Sequence, residues 1–305
     1  MEAVIAGLVK PGHNALVVDN GYFAERIIDC IQKYGGNATP LKLNWGTPVS
    51  EEQLCLELGK KDYDLVFVVH AETSTGMLQG NMKKLGEEAH GHGALFIADM
   101  VTSLGGLPVQ TLYNDVDAAW SGNQKNINGP TGISPVVFRQ RALDSLNPSS
   151  ETKSWYFDPD KLRKYWKEGG GARSYHHTAM GPLLFGLDAA LDIVLEEGIE
   201  ARAKRLFENA KLLQTGLEDL GFSYVVGNPQ DRLPNLHAVR VPEGINEATL
   251  RTKLLDEHNI EIGGGLGEFA GKIVRIGIMG QYSSPERVRL LLDTIAQELP
   301  NSRAA

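Results

Sequence analysis

Residues 117–129 read Asp-Ala-Ala-Trp-Ser-Gly-Asn-Gln-Lys-Asn-Ile-Asn-Gly, and they place one lysine, Lys125, in a loop after a short apolar strand. Lys125 is the only charged residue between Asp117 and Arg139. A lysine that serves only solubility usually lies among other charges on a helix face. A sheltered lysine has a lowered pKa and a nucleophilic amine. Lys125 is therefore a candidate for a lysine that forms a Schiff base.

A carboxylate ends the preceding strand, because Leu95–Asp99 consists of four apolar residues followed by Asp99. Ligands of open α/β sheets bind at the carboxyl ends of the strands, so Asp99 and Lys125 are predicted to lie at the same edge. Pyridoxal phosphate needs a lysine that holds its aldehyde and a carboxylate that keeps its pyridine nitrogen protonated. Taken alone, the pair favours a simpler alternative, an aspartate that caps a helix and an ordinary loop lysine.

Five short motifs occur in one order along the chain: His70–Gly76, Asp99–Gly106, Ser121–Lys125, Tyr175–Thr178 and Val274–Gly277. Together they resemble the alanine–glyoxylate, serine–pyruvate and serine–glyoxylate aminotransferase group of the class V, fold-type I pyridoxal-phosphate enzymes. The resemblance covers essentially the whole chain in register. It implies pyridoxal 5'-phosphate as the cofactor.

Strands alternate with helices in the first half of the chain, which favours a mostly parallel, doubly wound α/β sheet. The continuous apolar run Asp64–His70 is typical of a strand buried on both faces. The helix predicted over Gly181–Glu197 is apolar on most sides, so it is expected to be buried. The expected organisation is a large cofactor-binding domain (1–148), a linker with an active-site loop (149–180) and a small C-terminal α+β domain (181–305) that includes this long helix.

The resemblance also assigns roles around the cofactor ring. It implies that Asp99 pairs with the pyridinium nitrogen, that Val101 packs one face of the ring and that Phe23 stacks on the other. Thr73 would hydrogen-bond the phenolic oxygen. From the residues alone, an ordinary core residue at a helix entry is the preferred interpretation of Phe23, and a hydroxyl that satisfies its own turn is a common one for Thr73.

Phosphate contacts are implied for three residues. Gln124 would bind the phosphate, although it could be a solvent-facing amide. Tyr175 and Thr178 would reach the phosphate of the partner subunit, which implies a homodimer. The adjacent histidines His176 and His177 raise the alternative of a metal site. Neighbouring side chains are expected to point apart, and no carboxylate or cysteine is close in sequence, so no metal is predicted.

An arginine between two apolar residues, Arg275 beside Val274 and Ile276, requires an anionic partner. From the residues alone, two anionic partners fit Arg275: a carboxylate in a structural salt bridge, and the α-carboxylate of a substrate. The resemblance favours the substrate. The glycine-rich segment Gly263–Gly267 lacks the strand-before, helix-after context of a dinucleotide motif and is predicted to be a mobile loop facing the active site.

The implied reaction transfers the amino group of alanine or serine to glyoxylate or pyruvate. Two alternatives remain for the function. One is another class V transaminase, such as a ureidoglycine–glyoxylate or aminoethylphosphonate–pyruvate enzyme, and the other is a catalytically silent relative. A cysteine desulfurase needs a cysteine on a late loop, whereas Cys30 and Cys55 are early in the chain.

The composition indicates which classes of partner and site are not expected. The net charge is −8 and no basic patch stands out, so nucleic acid is not expected. The apolar runs are far too short for a membrane span, and no signal peptide is recognisable. Two cysteines provide neither a disulfide framework nor a metal motif. The expected location is the cytoplasm.

The start of the chain carries one further expectation. Relatives in the resembling group have roughly 70 to 80 residues before the point that matches Met1, about half a domain. This stretch includes an edge strand and a glycine-rich turn whose N–H groups cradle the cofactor phosphate. The chain is therefore expected to be N-terminally shortened, with weak cofactor affinity and an open sheet edge at Ile133–Phe138.

Overall fold

The computed structural model describes residues 1–109, 114–166, 170–172 and 174–299. In the described N-terminal half, five parallel strands and one antiparallel strand form a sheet of order β2-β1-β3-β6-β7-β8, and β4 pairs with β5 as a separate hairpin. The strands are β1 (Asn14–Asp19), β2 (Asn37–Lys42), β3 (Leu65–Val69), β4 (Ala71–Glu72), β5 (Met77–Leu78), β6 (Leu95–Asp99), β7 (Ala118–Trp120) and β8 (Val136–Phe138). The prediction of a mostly parallel α/β sheet is confirmed.

Helices cover both faces of this sheet: α1 (Glu2–Leu8), α2 (Tyr22–Lys33), α3 (Glu51–Leu58) and α4 (Met82–Gly91). Successive side chains of a strand point to opposite faces, and β3 shows the result. Leu65, Phe67 and Val69 pack with α1 and α2, whereas Val66 and Val68 pack with α3 and α4. All five are buried, and each contributes about 1.5–3 kcal/mol by leaving water.

The sequence predicts the second strand over Pro40–Trp45, whereas the structure has it at β2, Asn37–Lys42, paired in parallel with β1 along its whole length. Pro40 lies opposite Val17, and because β2 is an edge strand it tolerates a residue without an N–H. The chain leaves the sheet after Lys42 and turns at Gly46, whose φ is +86°.

A connecting segment with two short helices, α5 (Gln140–Asp144) and α6 (Pro159–Tyr165), follows β8. The sequence predicts an amphipathic helix over Asp158–Glu168, and the structure has α6 within these bounds. Asp158 is its N-cap and accepts hydrogen bonds from the amides of Asp160 at 3.0 Å and Lys161 at 3.2 Å. Glu168 lies outside the described residues.

The C-terminal unit contains helices α7 (Gly181–Glu197), α8 (Ile199–Asp219), α9 (Glu247–His258) and α10 (Pro285–Glu298) with strands β9 (Ser223–Tyr224), β10 (Leu236–Arg240), β11 (Gly263–Gly264) and β12 (Val274–Gly277). The strands form an antiparallel sheet of order β11-β12-β10-β9. Part of the segment predicted as a mobile loop, Gly263–Gly264, is instead strand β11, because its backbone pairs with β12.

The prediction that α7 is buried is wrong for the described chain. Ala190 and Val194 are buried against Ile127, but Phe185 is 77% exposed and Leu195 is 76% exposed. The helix packs on α8 and on the segment after β7, and several of its apolar side chains stay exposed. Large exposed apolar surface is typical of a protein–protein interface.

Among the helices of the described ranges, none combines the length and the apolar character that crossing a bilayer requires. The expected cytoplasmic location stays a prediction.

Candidate active site

A cavity of about 310 Å³ opens at the carboxyl ends of β3, β6 and β7. Open α/β sheets bind ligands at this edge, and the volume lies at the lower end of the range for small-molecule sites. Six of the predicted site residues line it: Phe23, Thr73, Asp99, Val101, Gln124 and Lys125. The predicted convergence of Asp99 and Lys125 is therefore observed.

Asp99 is held by two donors at the wall of the cavity. Its Oδ1 accepts the Val101 N–H at 2.9 Å, and its Oδ2 accepts the indole N–H of Trp120 at 3.0 Å. Trp120 is the register partner of Asp99 on β7, so the parallel pairing itself brings the indole to the carboxylate. Burial raises the pKa of Asp99, and the two N–H donors oppose this shift. A cation in the cavity would therefore find a fixed, poorly solvated carboxylate.

Lys125 is half-buried in the loop that follows β7. The pKa of Lys125 is lowered, first because burial disfavours the charged amine and second because the positive charge of Arg275 is near. The sequence predicted this shift from the absence of neighbouring charges. The structure adds Arg275 as a second cause. A neutral amine is the form that attacks a carbonyl and accepts a proton.

Buried contacts on both sides fix the Lys125 loop. Ser121 Oγ donates to the Met100 carbonyl at 2.9 Å, and the side-chain amide of the buried Asn126 donates to the Thr102 carbonyl. Gly106 is required beside this contact, because a Cβ there would overlap the side-chain amide of Asn126. The last glycine of the Asp99–Gly106 motif is thus explained by the loop that carries Lys125.

Glu72 is a buried carboxylate behind the cavity to which the sequence analysis gave no role. Its Oε2 accepts the Phe23 N–H at 3.2 Å, and its Oε1 accepts the N–H and hydroxyl of Ser74 at 2.9 and 2.7 Å. Burial raises the pKa of Glu72 to about 7 despite these donors. Glu72 therefore ties the start of α2, which carries Phe23, to the loop that carries Thr73. Its signal in the sequence was a single carboxylate just after a buried apolar strand.

Arg275 reaches the same region from β12. Its Nε donates to the Gly264 carbonyl at 2.7 Å, and its Nη1 donates to the Thr73 carbonyl at 3.4 Å. Within the described ranges, Nη2 has no hydrogen-bond partner and no carboxylate forms an ion pair with Arg275. Glu72 acts on it only as a nearby charge. The described contacts thus give no support to the alternative of a structural salt bridge.

Tyr175 and Thr178 lie outside this cavity. The Tyr175 hydroxyl is 3.0 Å from Thr178 Oγ1, both residues are exposed, and they line a separate depression. The expectation that His176 and His177 point apart is wrong, since their Nδ1 atoms are 2.9 Å apart. An aromatic cluster holds them together: His176 stacks on Trp155 with ring centroids 4.7 Å apart, and other aromatic rings contact His177.

The described part of the chain brings together one group of possible metal ligands, Glu257, His258 and Glu298, on α9 and α10. Glu298 already pairs with Lys253 at 2.9 Å and with His258 at 2.8 Å. Surface ion pairs account for this group.

The mostly parallel six-stranded sheet with a smaller antiparallel C-terminal sheet defines a fold-type I pyridoxal-phosphate-dependent transferase. The model of the family "Aminotransferase class-V" matches residues 1–291. The chain therefore belongs to the class V aminotransferase family, whose members use pyridoxal phosphate, and within it to the alanine–glyoxylate aminotransferase group.

Three comparisons support this assignment. The chain is 32% identical over 304 residues to alanine–glyoxylate aminotransferase of Drosophila melanogaster, covering 99% of this chain and 77% of that protein. It is also 32% identical to (S)-ureidoglycine–glyoxylate transaminase of Bacillus subtilis, covering 96% of this chain and 74% of that one. The crystal structure of alanine–glyoxylate aminotransferase from Nostoc sp. superposes with a TM-score of 0.94 at 38% identity, covering 98% of this chain and 78% of that one.

Proposed function

We propose that this chain transfers an amino group from alanine or serine to glyoxylate or pyruvate, with pyridoxal 5'-phosphate as cofactor and Lys125 as the Schiff-base lysine. One observation carries the proposal: a buried carboxylate and a lysine of lowered pKa share one cavity at the ends of adjacent strands. Arg275 brings a carboxylate-binding group close enough to lower the pKa of that lysine.

The residues of the cavity fit pyridoxal phosphate. The two oxygens of Asp99 each accept one N–H bond, so each retains acceptor capacity for a protonated ring nitrogen. Val101 and Phe23 supply apolar surface for the two ring faces, Thr73 a hydroxyl for the phenolic oxygen and Gln124 an amide for the phosphate. When bound, pyridoxal phosphate supplies an electron sink for negative charge at the substrate Cα.

The protein's own groups then position the substrate and move its proton. Arg275 binds the α-carboxylate, for which a guanidinium offers two parallel N–H donors. Lys125 accepts the proton from the substrate Cα as a general base and then donates it, as a general acid, on the cofactor side of the transferred nitrogen. Its lowered pKa favours the neutral amine that the first of these steps needs. The two N–H donors to Asp99 favour its charged form against the burial that raises its pKa, and a protonated ring nitrogen beside it would favour that form further.

We further propose a homodimer in which Tyr175 and Thr178 complete the phosphate site of the partner subunit. Both residues are exposed and outside their own cavity, so a phosphate contact requires another chain. The exposed apolar face of α7 offers surface for such an interface. In this arrangement, residues 1–148 form the cofactor domain, 149–180 the linker and active-site loop, and 181–305 the small domain.

The identity to the ureidoglycine–glyoxylate transaminase equals that to the alanine–glyoxylate enzyme, so ureidoglycine is the second candidate donor. One experiment addresses cofactor, lysine and donor. The protein is titrated with pyridoxal phosphate, and a portion is reduced with borohydride and mapped by mass spectrometry. Each donor is then tested for loss of the visible absorbance of the bound cofactor.

We expect reduced cofactor on Lys125 and a response to alanine or serine. Cofactor on another lysine would contradict the site assignment. A response to ureidoglycine alone would select the second candidate. The absence of any visible band would support a silent relative.

A further inference from the structure

We propose that Arg202 is a positioning residue for Lys125, acting with Glu197 and Arg205 as a clamp that joins the Lys125 loop to the C-terminal unit. The proposal rests on the assignment of Lys125 made above and extends it to residues that do not line the cavity. We call Glu197, Arg202 and Arg205 the α7–α8 clamp, since they lie at the end of α7 and in the first turns of α8.

Arg202 is fully buried although it carries a charge. Its Nη2 donates to the backbone carbonyl of Asn126 at 2.6 Å, and its Nη1 donates to Glu197 Oε2 at 2.7 Å. The Arg202 side chain is fully buried, whereas Glu197 is partly exposed. Burying a charge in an ion pair is usually no more stabilising than apolar residues of the same volume. Stability alone therefore does not account for the pair, whereas the bond to the residue after Lys125 gives it a geometric role.

The second half of the clamp reaches the turn after β12. Arg205 donates twice to Glu197, through Nε at 2.6 Å and Nη2 at 2.8 Å. Its Nη1 donates to the carbonyls of Ser283 at 2.5 Å and Gly280 at 3.2 Å. Glu197 thus links an arginine that holds the Lys125 loop to one that holds the turn following the strand of Arg275.

The same turn contacts the Lys125 loop directly. The Gly280 N–H donates to Asn126 Oδ1 at 3.2 Å, and the Gln281 N–H donates to Asn128 Oδ1 at 2.7 Å. Asn128 in turn donates from its side chain to the Lys125 carbonyl at 3.2 Å. All of these bonds fall within three residues of the lysine, so the backbone of Lys125 is positioned from the C-terminal unit.

This arrangement has a consequence for the amine. Without the Arg202 donor, the Asn126 carbonyl loses its charged partner, and among the described residues the loop keeps only neutral hydrogen bonds, such as those to Thr102, Gly280 and Gln281. A shift of the loop away from Arg275 and toward solvent then costs less. Because burial and the charge of Arg275 keep the pKa of Lys125 low, such a shift raises it. Misplacement of a catalytic group by about 1 Å reduces the rate on the order of 100-fold.

The test compares the full-length wild type with Arg202→Met, Arg202→Lys and the control Lys204→Ala. Lys204 lies on the same helix with its side chain 79% exposed. In cofactor-free protein, the pH midpoint of Lys125 acylation is measured by mass spectrometry. In cofactor-loaded protein, kcat and KM are measured for the amino donor. Thermal unfolding checks that each variant is folded.

We expect Arg202→Met to raise the acylation midpoint and to lower kcat about 10- to 100-fold, with a smaller change in KM. Arg202→Lys should bring the acylation midpoint and kcat part of the way back to the wild-type values, because it keeps one charged donor. Lys204→Ala should match the wild type in both. A folded Arg202→Met with the midpoint and kcat of the wild type overturns the proposal.

If Arg202→Met does not fold, the variant Glu197→Gln tests the proposal instead. The Glu197 carboxylate lies near the surface, and replacing it weakens its ion pairs with both Arg202 and Arg205. Glu197→Gln should shift the midpoint upward by a smaller amount, and an unchanged midpoint overturns the proposal. Failure of the proposed function is distinguishable, because it appears in the wild type as borohydride-fixed cofactor on a lysine other than Lys125.

Discussion

Arg275 and Thr73 are 202 residues apart in the chain, yet Nη1 of Arg275 donates to the carbonyl oxygen of Thr73 at 3.4 Å. Thr73 lines the cavity, and Arg275 extends from β12 of the C-terminal unit. The second fixed contact of the guanidinium, to the Gly264 carbonyl, comes from the neighbouring strand β11. The orientation of the proposed carboxylate-binding group therefore depends on how the C-terminal unit packs on the large sheet.

Replacing Arg275 by alanine should weaken binding of the amino donor by roughly 2–5 kcal/mol, the usual loss when one partner of a buried charge pair is removed. Arg275→Lys should recover only part of the affinity, because an ammonium lacks the planar fork that matches a carboxylate. Single-turnover kinetics with alanine as the donor measure the affinity of both variants. The exposed Arg240, mutated to alanine, is the control. Wild-type kinetics in Arg275→Ala would exclude it from substrate binding.

Lys125→Ala should lower turnover by at least about 100-fold, since it removes the proposed covalent link and the general base. The fold should persist, because no carboxylate of the described ranges pairs with Lys125, and its removal relieves both the burial of the amine and its repulsion from Arg275. Turnover and thermal unfolding are the two measurements. A variant that retains more than a tenth of wild-type turnover would argue against the assignment.

Glu72→Gln should change how stability depends on pH. The pKa of Glu72 is raised from 4.5 to about 7 in the folded protein, so between these values the folded state keeps a proton that the unfolded chain has released. The folded protein therefore loses stability as the pH rises through this window, by an amount on the order of 3 kcal/mol. Glutamine does not titrate and should lack this contribution.

Urea unfolding of cofactor-free wild type and Glu72→Gln at pH 5 and pH 8 tests this prediction. The loss of stability between the two pH values should be larger in the wild type. Other titrating groups, such as the buried His70, are common to both proteins and cancel in the comparison. Equal losses in the two proteins would show that Glu72 does not hold a proton near neutral pH.

Gly106→Ala should destabilise the protein by about 1–3 kcal/mol, because the new methyl group overpacks against the Asn126 side chain. Gly91→Ala is the matched control: it lies in α4, and a Cβ there meets no atom within 4 Å. It should be neutral or stabilise by up to about 1 kcal/mol. Equal unfolding midpoints for the two variants would contradict the tight contact at Gly106.

Phe185→Glu should shift the proposed dimer toward monomer, since a buried charge at an apolar interface is unfavourable. Phe185 is 77% exposed in the single chain, so the change should leave the folded protomer intact. Sedimentation velocity at several concentrations measures the shift. A dimer of undiminished affinity would place the interface away from this part of α7.

The sequence predicted the convergence of Asp99 and Lys125 because parallel strands bring their carboxyl ends to one edge, whatever the remaining packing. The strands that carry these residues to the edge are easily recognised in the sequence, since β3 is apolar throughout and β6 is apolar up to Asp99. The short strand β11 was missed, because two glycines carry no side-chain pattern.

Other features depend on contacts that no local pattern encodes. Arg202 lies in the segment Glu-Ala-Arg-Ala-Lys-Arg (200–205), in which it cannot be told from the exposed Lys204 by composition. Glu72 is buried beside the start of α2, where it accepts the N–H of Phe23, a residue 49 positions away in the chain. For α7, apolar periodicity indicates that faces need covering, but it does not say whether the same chain or another one covers them.

The hydrogen bond between the Trp120 indole and Asp99 gives the protein an internal optical reporter. Trp120 is one of four tryptophans and lines the cavity, whereas Trp155 and Trp166 are mostly exposed. A molecule that neutralises or displaces Asp99 changes the electric field along the indole N–H. Occupancy of the cavity should therefore be visible in the near-ultraviolet emission of the unlabelled protein, with Trp120→Phe as the silent reference.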